Sequence, residues 1–191
     1  MKNPGPALRW QKLREEPHAV TRIFNVVRAI YRHPRREQEQ DFFVINPPDW
    51  VNVVALTPDG QLVLVRQFRY GINEFSLEIP GGVMDPGEDP VTAGLRELRE
   101  ESGYVGDRVR LLGTVHPNPA MQSNRCHFVL VENARAGAEL EWDPDEEFDI
   151  LLKPVDEVYG LAAAGGITHA MVLNALLLFQ PHWADRRRGA V

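Results

Sequence analysis

The sequence of 191 residues lacks several features that mark extracellular and membrane proteins. It has one cysteine, Cys126, so no disulfide can form within the chain, and a reducing compartment fits. Cys126 lies in an apolar run, where a small buried side chain is the usual role. The longest apolar stretch, near 171–179, is too short to cross a bilayer, and residues 1–10 lack the apolar centre of a signal peptide. We therefore expect a cytoplasmic protein with no membrane partner.

Excess basic charge is also lacking. The 27 acidic residues outnumber the 21 Lys and Arg, and the formal net charge is −6. A nucleic-acid-binding protein usually shows a basic face or stripe, and none stands out, so no nucleic-acid partner is expected. The length suggests one domain, with room for a terminal extension, and can bury a core. An acidic protein that handles a polyanion needs metal ions or a few placed arginines in its site.

Changes of pattern divide the chain into three predicted segments. Residues 1–48 form an N-terminal extension, in which two apolar, β-branched runs at 21–31 and 41–45 flank a polar stretch. We expect these runs to pair as antiparallel strands. Residues 49–182 form the main domain, and residues 183–191 form a C-terminal tail.

Within the main domain, the predicted elements follow the order strands, helix, strands, helices. The strand-like runs are 51–56, 61–66, 75–79, 108–115, 127–132 and 148–153. A helix should begin after Asp89, a natural N-cap, and end at Gly103. Two more helices are predicted at 154–164 and 168–180, the second capped by Thr168. This order favours an α+β or α/β sandwich with a mixed sheet over a doubly wound parallel sheet.

The helix after Asp89 carries three carboxylates on one face. With Glu97 at zero, Glu101 lies about 40° to one side and Glu100 about 60° to the other. Like charges at this spacing cost a few tenths of a kcal/mol per pair, part of which Arg96 offsets by pairing with Glu100. Divalent cations would offset more, because Mg²⁺ takes one or two carboxylates together with substrate phosphates. The pattern therefore indicates a site for a metal-loaded diphosphate, with a solvated acidic helix face as the alternative.

The surrounding residues resemble the Nudix box. That motif has Gly, five residues, Glu, seven residues, Arg-Glu, an aliphatic residue, any residue, Glu-Glu, any residue, Gly, and an aliphatic or aromatic residue. Every position is met, by Gly82, Glu88, Arg96, Glu97, Leu98, Glu100, Glu101, Gly103 and Tyr104. From average residue usage, a chance match in a chain of this length is roughly one in ten million.

The resemblance implies a Nudix α/β/α sandwich and attack of water on a phosphorus of an X–diphosphate–nucleoside compound. It implies that Glu97 and Glu101 are the principal metal ligands and that Glu100 is an additional one. The backbone carbonyl of Gly81 would be a further ligand. The expected cofactor is magnesium (Mg²⁺), with Mn²⁺ as the alternative.

The same resemblance implies the catalytic supports. Glu88 and Arg96 would hold the loop and the ligands in place, and Arg96 counts with Glu100 among the candidate catalytic residues. Positioning and electrostatics carry most of phosphoryl transfer, so no protein nucleophile is needed. In these enzymes a glutamate of a late acidic loop often orients or deprotonates the attacking water. Register favours Glu146, with Glu147 close behind, and a solvated loop charge is the alternative for either.

The flanks of the box resemble the ADP-ribose and nucleoside-diphosphate-sugar pyrophosphatases. The residues that show this resemblance are the Gln67-Phe68-Arg69-Tyr70 run, the Leu77 to Gly82 run and Pro119. The resemblance implies that Arg69 contacts the substrate and that Glu78 lies nearby. Arg125, in a loop expected over the site, is a further candidate substrate-binding residue.

The expected reaction is hydrolysis of ADP-ribose or a nucleoside-diphosphate sugar to a nucleoside monophosphate and a sugar phosphate. The short chain between Arg69 and Phe75, and the absence of a glycine-rich run at 117–119, leave the choice between ADP-ribose and a sugar such as GDP-mannose open. The alternatives are a nucleoside-triphosphate pyrophosphohydrolase that cleans the nucleotide pool and a non-catalytic nucleotide sensor.

The extension suggests a homodimer. Its apolar residues occur on both faces of the expected strand pair, and two buried faces imply two partners. A symmetric dimer is the commonest second partner. The resemblance agrees, because N-terminal strands of ADP-ribose-type Nudix enzymes often cross to the partner and complete its substrate site, which Arg22, Arg28 or Arg32 would then reach. The alternative is a monomer whose extension covers its own sheet.

Overall fold

A computed structural model describes residues 7–142, 144 and 147–189. The chain divides into two units. The first comprises Met1–Pro48 and Asn118–Asn124, and the second comprises Asp49–Pro117 and Arg125–Val191. The first unit thus takes in a short segment, Asn118–Asn124, that the sequence analysis assigned to the main domain.

The N-terminal unit is a three-stranded antiparallel sheet in the order β1-β2-β3, with β1 at Gln11–Val20, β2 at Asn25–Arg32 and β3 at Glu39–Asn46. The predicted pair is present as β2 and β3, whereas β1 was missed. Nearly every residue of β1 is exposed, so it lacks the apolar alternation that marks a half-buried strand. The segment 118–124 docks on β3, where the Ile45 N–H donates to the Met121 carbonyl at 2.8 Å.

The second unit is built on a six-stranded mixed sheet in the order β11-β5-β4-β9-β8, with β6 paired to β5. Its strands are β4 (Trp50–Leu56), β5 (Gln61–Arg69), β6 (Glu74–Glu78), β8 (Arg108–Val115), β9 (Cys126–Glu132) and β11 (Asp149–Pro154). The central pair β4 and β9 is parallel and the other pairs are antiparallel. The second unit also contains a separate two-stranded ribbon, formed by β7 (Tyr104–Val105) and β10 (Arg135–Ala136). These two-residue strands are too short for a pattern to predict.

Helices cover both faces of this sheet, and each face has its own buried cluster. Helix α1 (Pro90–Ser102) packs through Leu98 on one face, while α2 (Val155–Ala163) and α3 (Ala170–Gly189) cover the other around Phe128. The expected α/β/α sandwich with a mixed sheet and an N-terminal strand extension is confirmed. In the part of the chain that the structure describes, no helix is both long enough and apolar enough to span a bilayer.

The ends of α1 follow the sequence prediction. The Asp89 side chain accepts a hydrogen bond from the Val91 N–H at 2.9 Å, and Gly103 ends the helix at φ 69°. A left-handed residue at this point suits glycine, which has no Cβ to clash. The register of the carboxylates on α1 is therefore set by strong local signals at both ends.

Helix α3 differs from its prediction at both ends. The helix begins at Ala170, so His169 rather than Thr168 occupies the N-cap position, and the Leu173 N–H donates to the His169 carbonyl. The predicted end at 180 was wrong, since the helix continues through Pro181 to Gly189. Proline removes one helix hydrogen bond, but Trp183 stacks near Phe179 and donates to Asp156 at 3.0 Å. Such tertiary contacts are invisible in a local pattern.

Candidate functional site

The loop before α1 is bound to the central sheet. The Val53 N–H donates to the Pro80 carbonyl at 2.8 Å, and the Val51 N–H donates to the Gly82 carbonyl at 3.0 Å. Gly81 lies between Pro80 and Gly82, and its N–H donates to Glu101 Oε2 of α1 at 2.9 Å instead of to the sheet. The Gly81 backbone is therefore held against the side chain of Glu101.

Both glycines of this loop are required by close approach. Gly81 has φ 157°, and a Cβ on it would lie 2.3 Å from the Val51 carbonyl oxygen. A Cβ on Gly82 would lie 2.6 Å from the carboxylate of Glu97. Both Glu97 and Glu101 are buried, at 9% and 4% exposure. The loop and helix thus bring two buried carboxylates against the Gly81-Gly82 backbone.

Arg96 links the other carboxylates of the box. Its Nη1 contacts Glu97 Oε1 at 2.7 Å and Glu100 Oε2 at 3.2 Å, and its Nη2 contacts Glu88 Oε2 at 3.0 Å. The hydrogen bonds to Glu88 raise the pKa of Arg96 most, partial burial opposes this, and the other two glutamates add to the increase. In return, hydrogen bonds from Arg96 hold the pKa of Glu88 below its usual range. Arg96 also donates to the Val83 carbonyl, so it connects loop and helix as the box predicts.

The donor chemistry fits a divalent cation. Carboxylates and a backbone carbonyl are the hard oxygen ligands that Mg²⁺ prefers, and a cation, Arg96, already contacts two of the carboxylates. Among residues 7–142, 144 and 147–189, however, no three His, Cys, Asp or Glu side chains converge as a ready metal site. In this arrangement Arg96 contacts Glu97 and Glu100, while the Gly81 N–H donates to Glu101.

Arg69 and Glu78 form a second charged pair. Two parallel hydrogen bonds join the guanidinium to a carboxylate that is only 1% exposed. Burial acts to raise the pKa of Glu78, but hydrogen bonds and charge from Arg69 outweigh it, with help from His169, and the net pKa is lowered. Since Glu78 is ionised, it holds the Arg69 fork in a fixed orientation. The sequence analysis expected these two residues near the substrate, but it did not expect them to bind each other.

His169 is a neighbour of this pair that sequence reasoning missed. Its Nε2 lies 3.8 Å from Glu78 Oε2, and its Nδ1 is buried without a hydrogen-bond partner. Burial lowers the pKa of His169, Glu78 opposes this, and Arg69 adds to the decrease. The six histidines show no paired metal spacing, so each had been interpreted as a surface or packing residue. Only the packing of α3 brings this one to β6.

The remaining candidates are in different surroundings. Arg125 is held by Asp49, with its Nε 3.1 Å and its Nη2 3.0 Å from Oδ2. Arg28 pairs with Asp41 at 2.8 Å within the N-terminal unit. Glu147 is exposed and precedes the buried Phe148, whereas Glu146 lies outside the described residues. Their roles toward a substrate or a water molecule stay predictions.

The comparisons with known proteins define the class. The NUDIX domain family matches residues 46–175, which is more than half of the chain, so the protein belongs to the Nudix family. The chain is 31% identical over 143 residues to an ADP-ribose pyrophosphatase of Bacillus subtilis (strain 168), covering 70% of this chain and 77% of that protein. It is 39% identical over 70 residues to an ADP-sugar pyrophosphatase of Mus musculus, covering 37% and 32%.

A solved structure agrees with the fold. The crystal structure of an ADP compounds hydrolase superimposes with a TM-score of 0.84, covering 95% of this chain and 98% of that one, at 22% sequence identity. The matching fold includes the N-terminal strands as well as the sandwich, because the shared region is nearly the whole chain. The family and its box make this protein a Nudix hydrolase.

Proposed function

We propose that this protein hydrolyses the diphosphate bond of ADP-ribose or a nucleoside-diphosphate sugar. The products are a nucleoside monophosphate and a sugar phosphate, and the cofactor is Mg²⁺, with Mn²⁺ as the alternative. The observation that carries the proposal is the packing of two buried carboxylates, Glu97 and Glu101, against the Gly81-Gly82 backbone. The names of the relatives support the substrate class.

Glu97, Glu101 and the Gly81 carbonyl would hold the metal, and Glu100 would be an additional ligand. A bound divalent ion neutralises charge on the diphosphate, polarises the phosphorus and lowers the pKa of a water molecule. In this arrangement Arg96 keeps Glu97 and Glu100 aligned through its contacts at 2.7 and 3.2 Å. The same arginine limits carboxylate repulsion on α1 before any ligand binds.

Arg69 is proposed to bind the diphosphate. Its side chain is 41% exposed, and hydrogen bonds to Glu78 fix the orientation of its guanidinium. The planar cation can therefore bind a ligand without further loss of side-chain freedom. Such a fork suits phosphate oxygens because it donates two parallel hydrogen bonds. Glu146, or Glu147 if the register is off by one, is proposed to orient or deprotonate the attacking water, and Arg125 remains a candidate for contact with the substrate.

A panel assay tests the reaction. The purified protein with Mg²⁺ is offered ADP-ribose and nucleotide sugars together with a phosphatase that releases phosphate only from the monophosphate products. Nucleoside triphosphates are tested separately through pyrophosphate release. Turnover of the first group that stops with EDTA is the expected result. Activity on triphosphates alone would point to pool cleaning, and tight binding without turnover in saturating Mg²⁺ would point to a nucleotide sensor.

A homodimer built partly from residues 1–48 is also proposed. Ala29 and Ile30 are neighbours on opposite faces of β2 and both are buried, whereas Phe42 and Phe43 of β3 stay 40% and 50% exposed. Exposed aromatics beside buried faces are typical of an interface. In such a dimer Arg28 would reach the partner's substrate. A cytoplasmic location is proposed as well, since the single cysteine, Cys126, allows no disulfide within the chain, which fits a reducing compartment.

Light scattering tests the dimer. A mass near 21.6 kDa at micromolar concentration would contradict it. The variant Phe43→Lys should shift a dimer toward monomer, whereas the control Leu177→Lys, at a 65% exposed position of α3, should not. Loss of dimer in both variants would show general destabilisation and not a specific interface.

A further inference from the structure

The buried core fixes the position of His169 beside Glu78. Ile167 and Met171, two residues before and two residues after His169, are 2% and 6% exposed and belong to the cluster that α2 and α3 cover. Ile79, the residue after Glu78, belongs to the same cluster. This shared packing places His169 Nε2 3.8 Å from Glu78 Oε2.

Arg69 and His169 are both close to the carboxylate of Glu78. Arg69 donates to both carboxylate oxygens, at 2.8 and 2.6 Å, and His169 lies near the second of these oxygens. Because Glu78 is only 1% exposed, water has little access to replace a donor that moves away. A diphosphate that binds Arg69 competes with Glu78 for the guanidinium, and a buried carboxylate that loses part of its pairing is costly. A second donor beside Glu78 reduces that cost.

The surroundings of the imidazole favour one neutral tautomer. Nδ1 of His169 is buried and has no hydrogen-bond partner among the residues that the structure describes. With the proton on Nδ1, a buried N–H would lack an acceptor, and the Nε2 lone pair would lie beside a negative charge. With the proton on Nε2, the N–H lies beside the carboxylate of Glu78, and only one lone pair is left without a donor. The Nε2–H tautomer is therefore the stable one.

The same geometry disfavours a charged imidazole, because the doubly protonated ring would also carry an N–H at the buried Nδ1. Burial lowers the pKa of His169, Glu78 opposes this, and the positive charge of Arg69 adds to the decrease. His169 is thus neutral at pH 7. A neutral donor supports the carboxylate of Glu78 without adding a second cation that would replace Arg69.

We propose that His169 is a positioning residue for Arg69, and that its neutral Nε2–H donates to Glu78 when a diphosphate engages the guanidinium. A shift of roughly 1 Å brings the two atoms into hydrogen-bonding range. The bond keeps Glu78 in place, and Glu78 in turn keeps the orientation of Arg69. The proposal rests on the proposed hydrolase function. His169 is assigned no contact with substrate, so its effect falls on KM through Arg69 rather than on kcat.

Two amide substitutions distinguish the ring nitrogens, because the amide of Gln reaches the place of Nε2 and that of Asn the place of Nδ1. With the preferred diphosphate substrate and Mg²⁺, we expect His169→Asn to raise KM about 10-fold, as the loss of one hydrogen bond to a charged group does. Its kcat should stay near the wild-type value, and His169→Gln should leave both constants near theirs. The matched control is His182→Asn in α3. His182 Nε2 lies 3.2 Å from Glu132, which pairs with Arg186, so this variant should change neither constant.

Nuclear magnetic resonance gives a readout that needs neither metal nor turnover. In metal-free wild-type protein at pH 7, the ring nitrogen shifts of His169 should show a neutral imidazole with its proton on Nε2. Their loss in His169→Gln assigns these signals. A proton on Nδ1 overturns the proposal, and so do equal KM values in His169→Asn and His169→Gln or a loss confined to kcat.

Urea unfolding checks that the variants fold. If His169→Asn does not fold, the tautomer in the wild-type protein still confirms or overturns the proposal. If the wild-type protein hydrolyses no nucleotide of the panel, the proposed function fails, while the tautomer still decides whether His169 donates to Glu78.

Discussion

The guanidinium of Arg69 donates two hydrogen bonds to the buried carboxylate of Glu78, from Nε to Oε1 at 2.8 Å and from Nη2 to Oε2 at 2.6 Å. The pair is asymmetric, because the arginine side chain is 41% exposed and the glutamate 1%. Removing the arginine therefore has a different effect on stability from removing the glutamate. An exposed arginine without its partner is solvated by water, whereas a buried carboxylate without its partner is not.

Arg69→Met should accordingly destabilise the protein more than Glu78→Gln. We expect about 3 kcal/mol for the first, because an uncompensated carboxylate remains buried, and roughly 1 kcal/mol for the second. Urea unfolding at pH 7 measures both free energies of unfolding. Equal losses, or a larger loss for Glu78→Gln, would contradict the asymmetry.

The effect of Arg69→Met should also depend on pH. In the wild type the pKa of Glu78 is lowered on folding, so its contribution to stability is present above the unfolded-state pKa near ~4.3 and is lost as the pH falls through the folded-state value. Without Arg69, burial dominates and raises the pKa of Glu78, so stability is instead lost as the pH rises. The difference between wild type and Arg69→Met should therefore grow from pH 4 to pH 7. A difference independent of pH would show that Glu78 is not its source.

Glu101→Gln should lower turnover by several orders of magnitude and leave the fold intact. The substitution keeps the shape and an acceptor for the Gly81 N–H, but it removes the charge needed by a hard cation. The control Glu157→Gln changes an exposed glutamate of α2 and should leave turnover unchanged. Circular dichroism checks folding, and EDTA should abolish wild-type activity. A rate near that of wild type in Glu101→Gln would refute the assignment of Glu101 as a ligand.

Gly81→Ala should destabilise the protein and abolish turnover. Its Cβ would lie 2.3 Å from the Val51 carbonyl oxygen, so the loop must leave β4 and carry the Gly81 backbone away from Glu101. Gly160→Ala is the matched control, because no atom lies within 4 Å of its added Cβ in α2. Alanine at this helix position should raise stability by about 0.5–1 kcal/mol. Thermal unfolding that moves in the same direction for both variants would contradict the packing described.

Arg96→Gln should weaken the site without removing a ligand. The variant loses the contacts to Glu88, Glu97 and Glu100, so the carboxylates repel each other in the metal-free protein. We expect a loss of roughly 10- to 100-fold in activity, typical of residues that orient ligands. Added Mg²⁺ should raise the melting temperature of Arg96→Gln by more than that of wild type, because the ion then replaces a missing cation. A smaller shift in the variant would count against this role of Arg96.

Much of the fold could be predicted from the sequence because the signals for its helices and strands are local. The Asp89 cap, the Gly103 stop and the strand runs depend on neighbouring residues, so their positions were predicted to within a few residues. Strand β1 was missed, because exposed polar residues carry no alternation. The end of α3 was missed at Pro181, because distant contacts outweigh the usual effect of proline there.

The Nudix box alone determined the chemistry proposed for this protein, because residues three and four apart on one helix must share a face. The sequence by itself therefore identified Glu97, Glu100 and Glu101 as a group and Arg96 as their neighbour. Only the tertiary structure decided which groups meet them. Gly81 reaches Glu101 through β4, His169 reaches Glu78 through α3, and Trp142 reaches the Glu101 carbonyl through the β7–β10 ribbon. These contacts join positions 20 to more than 90 residues apart, where neither periodicity nor spacing carries information.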